Sequence, residues 1–446
     1  MTRIELPQLP NAVHQAMRLI RAAGGRGWVV GGAVRDLLLG RMPEDFDLAS
    51  DLEPDALSQI LPDPEVREAR LGTCRTTIDG VSLTVTTLRE EADYADHRRP
   101  DQVRFVTDLA VDARRRDFTI NALYLDLERS EVIDPVSGMP DLEARILRTI
   151  GDPKQRFRED PLRLLRMVRF AASAELEIDS ATMQAAQQTA TELRTLSAER
   201  IYAELTQTFC GRGRGRSLRL LLDSGLCAVI LPEVAAMDGV PQPPEYHPEG
   251  DVLVHVQLVL DHCPEGHPEL CWAAVLHDVG KPPTYRVAER IRFDGHDNLS
   301  AEMAKDVLGR LRAPKALQQR VIDVCRHHIR FAALPQMRPA RAERWLREPD
   351  FPLHLEFHRA DCMGSHGKLE IYELARQKLR DLPPLTEPLL HGKDVLALGI
   401  KPGPVVGKLL GAVQNQIDEL PVATSRDQAL VLLRDAVESH LQGDPD

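Results

Sequence analysis

The order of apolar and polar positions divides the chain into a mixed first third and a helical remainder. Residues 11–22, with VHQAMRLI inside them, repeat apolar positions at helical spacing, and GWVV before Gly31 reads as a short buried strand. AVRDLLLG then predicts a helix stopped by Gly40. DFDLA and TTIDGVSLTVTTLR predict strands, the second a pair joined through Asp79-Gly80, a two-residue hairpin signal. From Asp160 onward the period becomes that of long helices, in PLRLLRMVRFAASAEL, SAERIYAELTQTF, SLRLLLDSG and ELCWAAVLHDVG. The expected class is α+β, a mixed sheet with helices followed by an all-α remainder. The proline-rich tracts PQPPEYHPEG (241–250) and DLPPLTEP (381–388) predict boundaries, since consecutive prolines cannot continue a helix.

A chain of 446 residues exceeds one ordinary hydrophobic core, and its length fits roughly 2–4 domains. With 43% apolar and 28% charged residues it has the composition of a soluble globular protein. No apolar run approaches the ~20 residues of a membrane span, and MTRIELPQLP lacks the basic and apolar regions of an export signal. Seven cysteines without a C-x-x-C spacing argue against a disulfide framework or a cysteine zinc site and fit a reducing cytoplasm. A net charge of −12 is unusual for a protein that binds RNA. The basic residues are clustered, however: RRR at 114–116, then Arg156, Arg158, Arg163, Arg166 and Arg169, then GRGRGR at 211–216, which predicts a local basic surface.

Candidate chemistry begins at Gly31-Gly32, between the predicted strand and helix, where backbone N–H groups and a helix start face phosphate oxygens in many proteins. Thirteen residues after Gly32 comes Asp45-Phe46-Asp47. Strand alternation places both carboxylates on one face and Phe46 on the other, a pair of hard oxygen donors suited to Mg²⁺ and to metal-assisted phosphoryl transfer.

The blocks GGAVRD (31–36), DFDLA (45–49), DYADHRRP (93–100), RRDFTINAL (115–123), EDPLR (159–163) and SAERI (197–201) resemble, in order, those of the class II tRNA nucleotidyltransferase and bacterial poly(A) polymerase family. The resemblance implies a polymerase β-like head in which Asp45 and Asp47 hold Mg²⁺. It sets Gly31, Gly32 and Arg35 beside the triphosphate, and Arg115, Asp117 and Asn121 along the ribose and phosphates. Asp160, Arg163 and Arg166 join them as nucleotide-binding residues. In EDPLR, Pro161 suits a first helical turn, and Asp160 and Arg163 can share a helix face. Cytosine and adenine both present an exocyclic amine beside a ring-nitrogen acceptor, which a fixed carboxylate and guanidinium could read. The alternative is that Asp160 caps the helix and pairs with Arg163. The chain departs from the family at Thr84, where a carboxylate is common, and Cys74 and Arg75 have no functional account.

Downstream, His255, His277-Asp278 and Asp361 follow the order of ligands in HD-domain phosphohydrolases, with His296, His327 and His328 as candidates for a second metal position. That resemblance implies a divalent metal of unspecified identity and 2′,3′-cyclic phosphodiesterase or phosphatase chemistry.

The expected organisation is a head at 1–150, a base-reading neck and body at 151–245, an HD domain at 246–375 and a helical tail at 376–446. The expected function is CCA addition to the tRNA 3′ end from CTP and ATP, in the cytoplasm and with no membrane partner; the sequence specifies no oligomeric state. Rival readings are an A-adding or, less readily, a CC-adding enzyme of a split pathway, a poly(A) polymerase, and an RNA-binding protein with an inactive head. The tract REEADYADHRRP resembles the loop that this family uses to complete the terminal A, which disfavours CC-only addition.

Overall fold

The computed structural model describes residues 2–3, 8–92, 102–382, 388–420 and 424–443. The strands before residue 150 are β1 (Thr2–Arg3), β2 (Gly27–Val30), β3 (Phe46–Ser50), β4 (Glu65–Glu68), β5 (Thr73–Ile78), β6 (Val81–Thr87), β7 (Arg89–Ala92), β8 (Gln102–Phe105), β9 (Tyr124–Asp126), β10 (Glu131–Ile133) and β11 (Ile146–Leu147). Eight of them form one sheet in the order β1-β10-β9-β2-β3-β6-β5-β4, and β7 pairs with β8 apart from it. β3 and β6 run parallel while their other neighbours are antiparallel, so the sheet is mixed, as expected. Asp79 and Gly80 both take positive φ, 49° and 78°, the conformation that a two-residue hairpin between β5 and β6 requires.

Alternation along β3 gives the sheet its two faces. Phe46 and Leu48 enter the main apolar core beneath the helix Asn11–Ala22, whose Ala12, Val13, Ala16 and Ile20 are buried there. On the other face Ala49 joins Trp28, Val30, Leu88 and Tyr124 in a small cluster, and Asp47, two residues earlier, is left open. The sheet is therefore capped at one end of this face and accessible at the other.

After residue 150 the described chain is helical except for three short strands of two residues each. The helix Pro153–Glu159 starts on an Asp152 cap that accepts from Gln155 N–H at 2.8 Å, with Pro153 in the first turn. The helix Leu162–Ser173 buries Leu164, Leu165, Met167 and Val168. The main core runs without a break from Leu9 through these helices to Ala360. The helix Ala198–Cys210 is joined to the following module by Trp272, whose indole stacks on Tyr202 at 5.8 Å, meets Phe209 edge-on at 5.2 Å and donates to Thr206 Oγ1 at 3.0 Å. The helices Gly392–Leu396, Pro404–Glu419 and Arg426–Gly443 pack on a small core of their own.

The tract 241–250 is a closed loop, with Gln242 N–H donating to the Gly250 carbonyl at 2.9 Å, and it folds back onto the histidine cavity described below. One expectation changes. GRGRGR is not an exposed basic stripe: Arg214 is buried, and Arg216 donates to the Leu176 carbonyl at 2.7 Å. Its glycines permit close packing, since a Cβ at Gly215 would lie 2.3 Å from Asp261 Oδ2. The tract DYADHRRP and most of DLPPLTEP lie outside the described residues. Among the described residues no helix is long and apolar enough to cross a membrane.

Candidate active site

The open face of the sheet and the helix Leu162–Ser173 enclose a cleft of about 1080 Å³. Every head and neck residue given a metal or nucleotide role from the sequence lines it: Gly31, Gly32, Arg35, Asp45, Asp47, Arg115, Asp117, Asn121, Asp160, Arg163 and Arg166. Asp45 and Asp47 stand on the same side with Phe46 buried behind them. Although water reaches Asp47, the surrounding protein raises its carboxyl pKa; Arg116 works in the opposite direction, and the Asp45 charge adds to the rise. The Thr84 hydroxyl hydrogen-bonds to Asp47 across the β3–β6 register, in the position where a third acid would have stood. Two adjacent carboxylates that repel one another form a hard oxygen donor set, which fits a divalent cation.

Gly31 has φ +75°, which explains the glycine, and its N–H donates to the Leu123 carbonyl at 3.3 Å. That bond occupies the Gly31 N–H. Positively charged side chains line the cleft beside the turn. Arg35, Arg166 and Arg169 surround the Phe170 ring, their guanidinium carbons 5.3, 4.9 and 4.4 Å from its centre. Arg35 donates to Asn121 Oδ1 at 2.9 Å, and Arg166 Nε donates to Asp117 Oδ2 at 2.8 Å. Burial opposes ionisation of Asp117, but Arg166 and Arg163 hold its pKa down to about 2.

Asp112 was not legible as a site residue. Wholly buried, it accepts from Arg115 Nε at 2.8 Å, Arg116 Nε at 3.1 Å, Tyr124 Oη at 2.6 Å and Arg89 N–H at 3.1 Å. One anion thus fixes two cleft arginines. In the EDPLR block, the ion pair between Asp160 and Arg163 does not form. Asp160 Oδ1 accepts from Leu162 N–H at 3.2 Å and pairs with Arg200 at 3.1 Å, while Arg163 reaches Glu159 at 2.9 Å and the Arg115 carbonyl at 3.2 Å. The capping half of the structural alternative is present and the pairing half is not.

A second cavity, of about 410 Å³, holds His255, His277, Asp278, His296, His328 and Asp361. His255 Nε2 lies 3.3 Å from His277 Nε2 and 3.1 Å from Asp361 Oδ1. Burial opposes charge on His255, yet Asp361 and Glu249 hold its pKa up to about 9, whereas burial drives His328 down to about 3. Asp278 has both oxygens buried without a hydrogen bond, and Lys281 Nζ lies 2.7 Å from Oδ2. These imidazole and carboxylate donors fit a divalent metal. His327 points elsewhere, to Asp323 at 3.2 Å, and leaves the set of candidate ligands. Glu249 was missed because it sits in the tract read as a boundary; its Oε1 lies 2.9 Å from His255 Nδ1.

The Poly A polymerase head domain family matches residues 27–148, the family of the probable RNA and SrmB-binding site of polymerase A matches 175–237, and the HD domain family matches 250–363. The CCA-adding enzyme of Geobacillus kaustophilus (strain HTA426) is 32% identical over 444 residues, covering 96% of this chain and 98% of that one. The chain belongs to the CCA-adding enzyme family. The CCA-adding enzyme of Latilactobacillus sakei subsp. sakei (strain 23K) is 30% identical, covering 91% of this chain and 93% of its own. The crystal structure of the Bacillus stearothermophilus CCA-adding enzyme in complex with CTP aligns with a TM-score of 0.68 at 26% identity, over 98% of this chain and 100% of that one. The protein is accordingly a nucleotidyltransferase, and the HD match falls on the residues that enclose the second cavity.

Proposed function

We propose that the protein adds C, C and A to the tRNA 3′ end from CTP and ATP, using the head cleft as its catalytic site. The observation that carries this reading is the convergence, in one cleft, of Asp45 and Asp47 with arginines drawn from blocks more than a hundred residues apart. Asp45 and Asp47 would hold Mg²⁺, which when bound polarises the α-phosphate and lowers the pKa of an attacking hydroxyl. Arg35, Arg115 and Arg166 bind the triphosphate, with Asn121 holding Arg35, Asp117 holding Arg166 and Asp112 holding Arg115 in place. The 3′ hydroxyl of tRNA attacks the α-phosphorus and pyrophosphate leaves. Asp160 accepts from the exocyclic amine of cytosine or adenine and Arg163 donates to the ring nitrogen, whereas uracil and guanine present the opposite pattern. The two full-length relatives both bear the name CCA-adding, which favours complete addition over a split pathway.

The working division is a head at 1–150, a neck and body at 151–245, an HD domain at 246–375 and a tail at 376–446. Seven unpaired cysteines fit a cytoplasmic location. The histidine cavity supports a second reading, hydrolysis of phosphate esters with a divalent metal; His277→Ala should remove that activity and spare nucleotide addition.

The primary test supplies CTP and ATP, separately and together, to tRNAs ending at the discriminator base, at C and at CC, with Mg²⁺. Growth of the first substrate to CCA is expected. A single A added only to the CC substrate would replace the reading with A addition, and growth unaffected by Asp45→Ala would overturn the metal assignment.

A further inference from the structure

We propose that Arg212 and Gln207 form a phosphate-binding position for the 3′ strand of tRNA, on the wall of the head cleft beyond the nucleotide. The inference rests on the reading of this cleft as the site of CCA addition and goes beyond it by assigning side chains that hold the second substrate.

The cleft is larger than one nucleotide needs. Pockets for a single small ligand enclose roughly 300–1,000 Å³, and this one encloses about 1080 Å³. It follows the helix Leu162–Ser173, with the base-reading residues Asp160 and Arg163 at the start and Arg166 and Arg169 at one-turn intervals after them. Arg169 Nε donates to Glu204 Oε1 at 2.6 Å, and Gln207 stands one turn after Glu204 on the helix Ala198–Cys210. Gln207, Arg212 and Gly266 therefore line the cleft beyond the row of arginines, where Gly266 N–H donates to the Cys210 carbonyl at 3.4 Å.

Arg212 differs from its neighbours in being unheld. Every other arginine that lines the cleft has a partner; Arg41, for example, reaches Glu175 and the Ser173 carbonyl, each at 2.9 Å. Arg212 is exposed and makes no hydrogen bond or ion pair among the described residues, and the same is true of the Gln207 amide. Glu265, the acid on this wall, lies 3.7 Å from Arg214 Nη2 instead. The backbone beneath Arg212 is nevertheless fixed. Gly213 has φ +67°, and a Cβ there would lie 2.3 Å from the Ala172 carbonyl oxygen. A Cβ on Gly211 would lie 2.9 Å from the Gln207 carbonyl oxygen. Both glycines let the turn close onto the helix ends, so Arg212 has a pinned root and a free guanidinium. It is the one arginine of GRGRGR that lines the cleft.

Held and free cations match the two substrates. The triphosphate has the same shape in all three additions, and arginines locked by buried acids suit a partner that does not change. The tRNA end lengthens by one nucleotide at each addition, so the phosphate that meets a fixed point belongs to a different nucleotide each time. An arginine that keeps its rotamer freedom can follow such a strand with its fork of N–H donors, and the Gln207 amide adds a neutral donor.

The test compares the full-length chain with Arg212→Ala, Arg212→Lys and Gln207→Ala, on tRNAs ending at the discriminator base, at C and at CC. It reads KM for tRNA and for the nucleotide, the melting transition, and tRNA affinity by fluorescence anisotropy across a salt series. In Arg212→Ala the KM for tRNA should rise roughly tenfold at all three lengths, with the KM for the nucleotide and the melting transition held. The slope of log Kd against log salt should fall by about 0.7, the value of one single-strand phosphate contact. Arg212→Lys should restore the slope, and Gln207→Ala should raise the tRNA KM by less and leave the slope at the parent value. A rise in the nucleotide KM with tRNA unaffected would give the position to the triphosphate and overturn the proposal. Parental values for both substrates would overturn it as well, and a loss confined to one tRNA length would overturn the following role. A parent chain that binds tRNA but adds nothing to it would overturn the CCA reading, while the binding slopes would still decide the inference.

Discussion

Asp47 and Thr84 are partners in the parallel register of β3 and β6, and the threonine hydroxyl hydrogen-bonds to the carboxylate. The bond favours the ionised form of Asp47 against the partial desolvation by surrounding protein that disfavours it. Thr84→Val keeps the shape and removes the donor. A net hydrogen bond of about 0.5–1.5 kcal/mol corresponds to roughly a 2–12-fold change in an equilibrium constant. The Mg²⁺ concentration for half-maximal nucleotide addition should rise by that order with the melting temperature nearly unchanged. A Mg²⁺ profile that superposes on the parent's would show that Thr84 has no part in holding Asp47.

Asp112 should act on the cleft without touching substrate. Its carboxylate is buried among Arg89, Arg115, Arg116 and Tyr124, and the arginines hold its pKa well below the usual range despite burial. Asp112→Asn keeps the volume and removes the charge, leaving buried guanidiniums without their anion, a change that costs about 3–5 kcal/mol in comparable settings. Thermal unfolding should move down, and kcat/KM for nucleotide addition should fall by about 10–100-fold as Arg115 and Arg116 lose their alignment. Unfolding and kinetics measured on one preparation separate the two effects, and parental kinetics in a destabilised protein would confine Asp112 to the fold.

A third prediction concerns acid. The His358 ring stacks on Phe331 with centres 4.2 Å apart, and burial holds its pKa down to about 4. The unfolded chain, with an ordinary histidine pKa near 6.5, binds the proton first, so this residue lowers stability as pH falls from about 6.5 to about 4, by up to about 1.4 kcal/mol per pH unit. Below the folded value the effect levels off, and above 6.5 it vanishes. His358→Phe keeps the stack and removes the titration, so its advantage in melting temperature should grow on acidification through that window. A constant difference between the two proteins from pH 7 to pH 4 would contradict the assignment.

The sequence disclosed what depends on local order. Alternation placed Asp45 and Asp47 together with Phe46 behind them, and Asp79-Gly80 announced its own hairpin. Contacts between distant segments were not legible. His327 and His328 are adjacent letters at the junction of a helix with a 3₁₀ turn, and rotation about the axis sends one toward Asp323 and the other into the cavity. Glu249 was hidden because prolines around it signal a boundary, and nothing local says that the loop folds back on His255. Asp112 resembles any acid on an amphipathic helix until Tyr124 and Arg89 arrive from elsewhere in the chain. In the EDPLR block, spacing suggested Arg163 as the partner of Asp160, whereas Arg200, forty residues on, takes that place.

The unbroken core that reaches from Leu9 to Ala360 gives the histidine module a second duty. Trp272 belongs to that module, yet it braces the helix Ala198–Cys210, whose end and following turn border the head cleft. Were the side chains of the module's cavity changed, the brace would remain; were the module cut away, the floor of the head cleft would lose its buttress. In this molecule the head and the HD module stand on a single foundation, so neither can be redrawn without regard to the other.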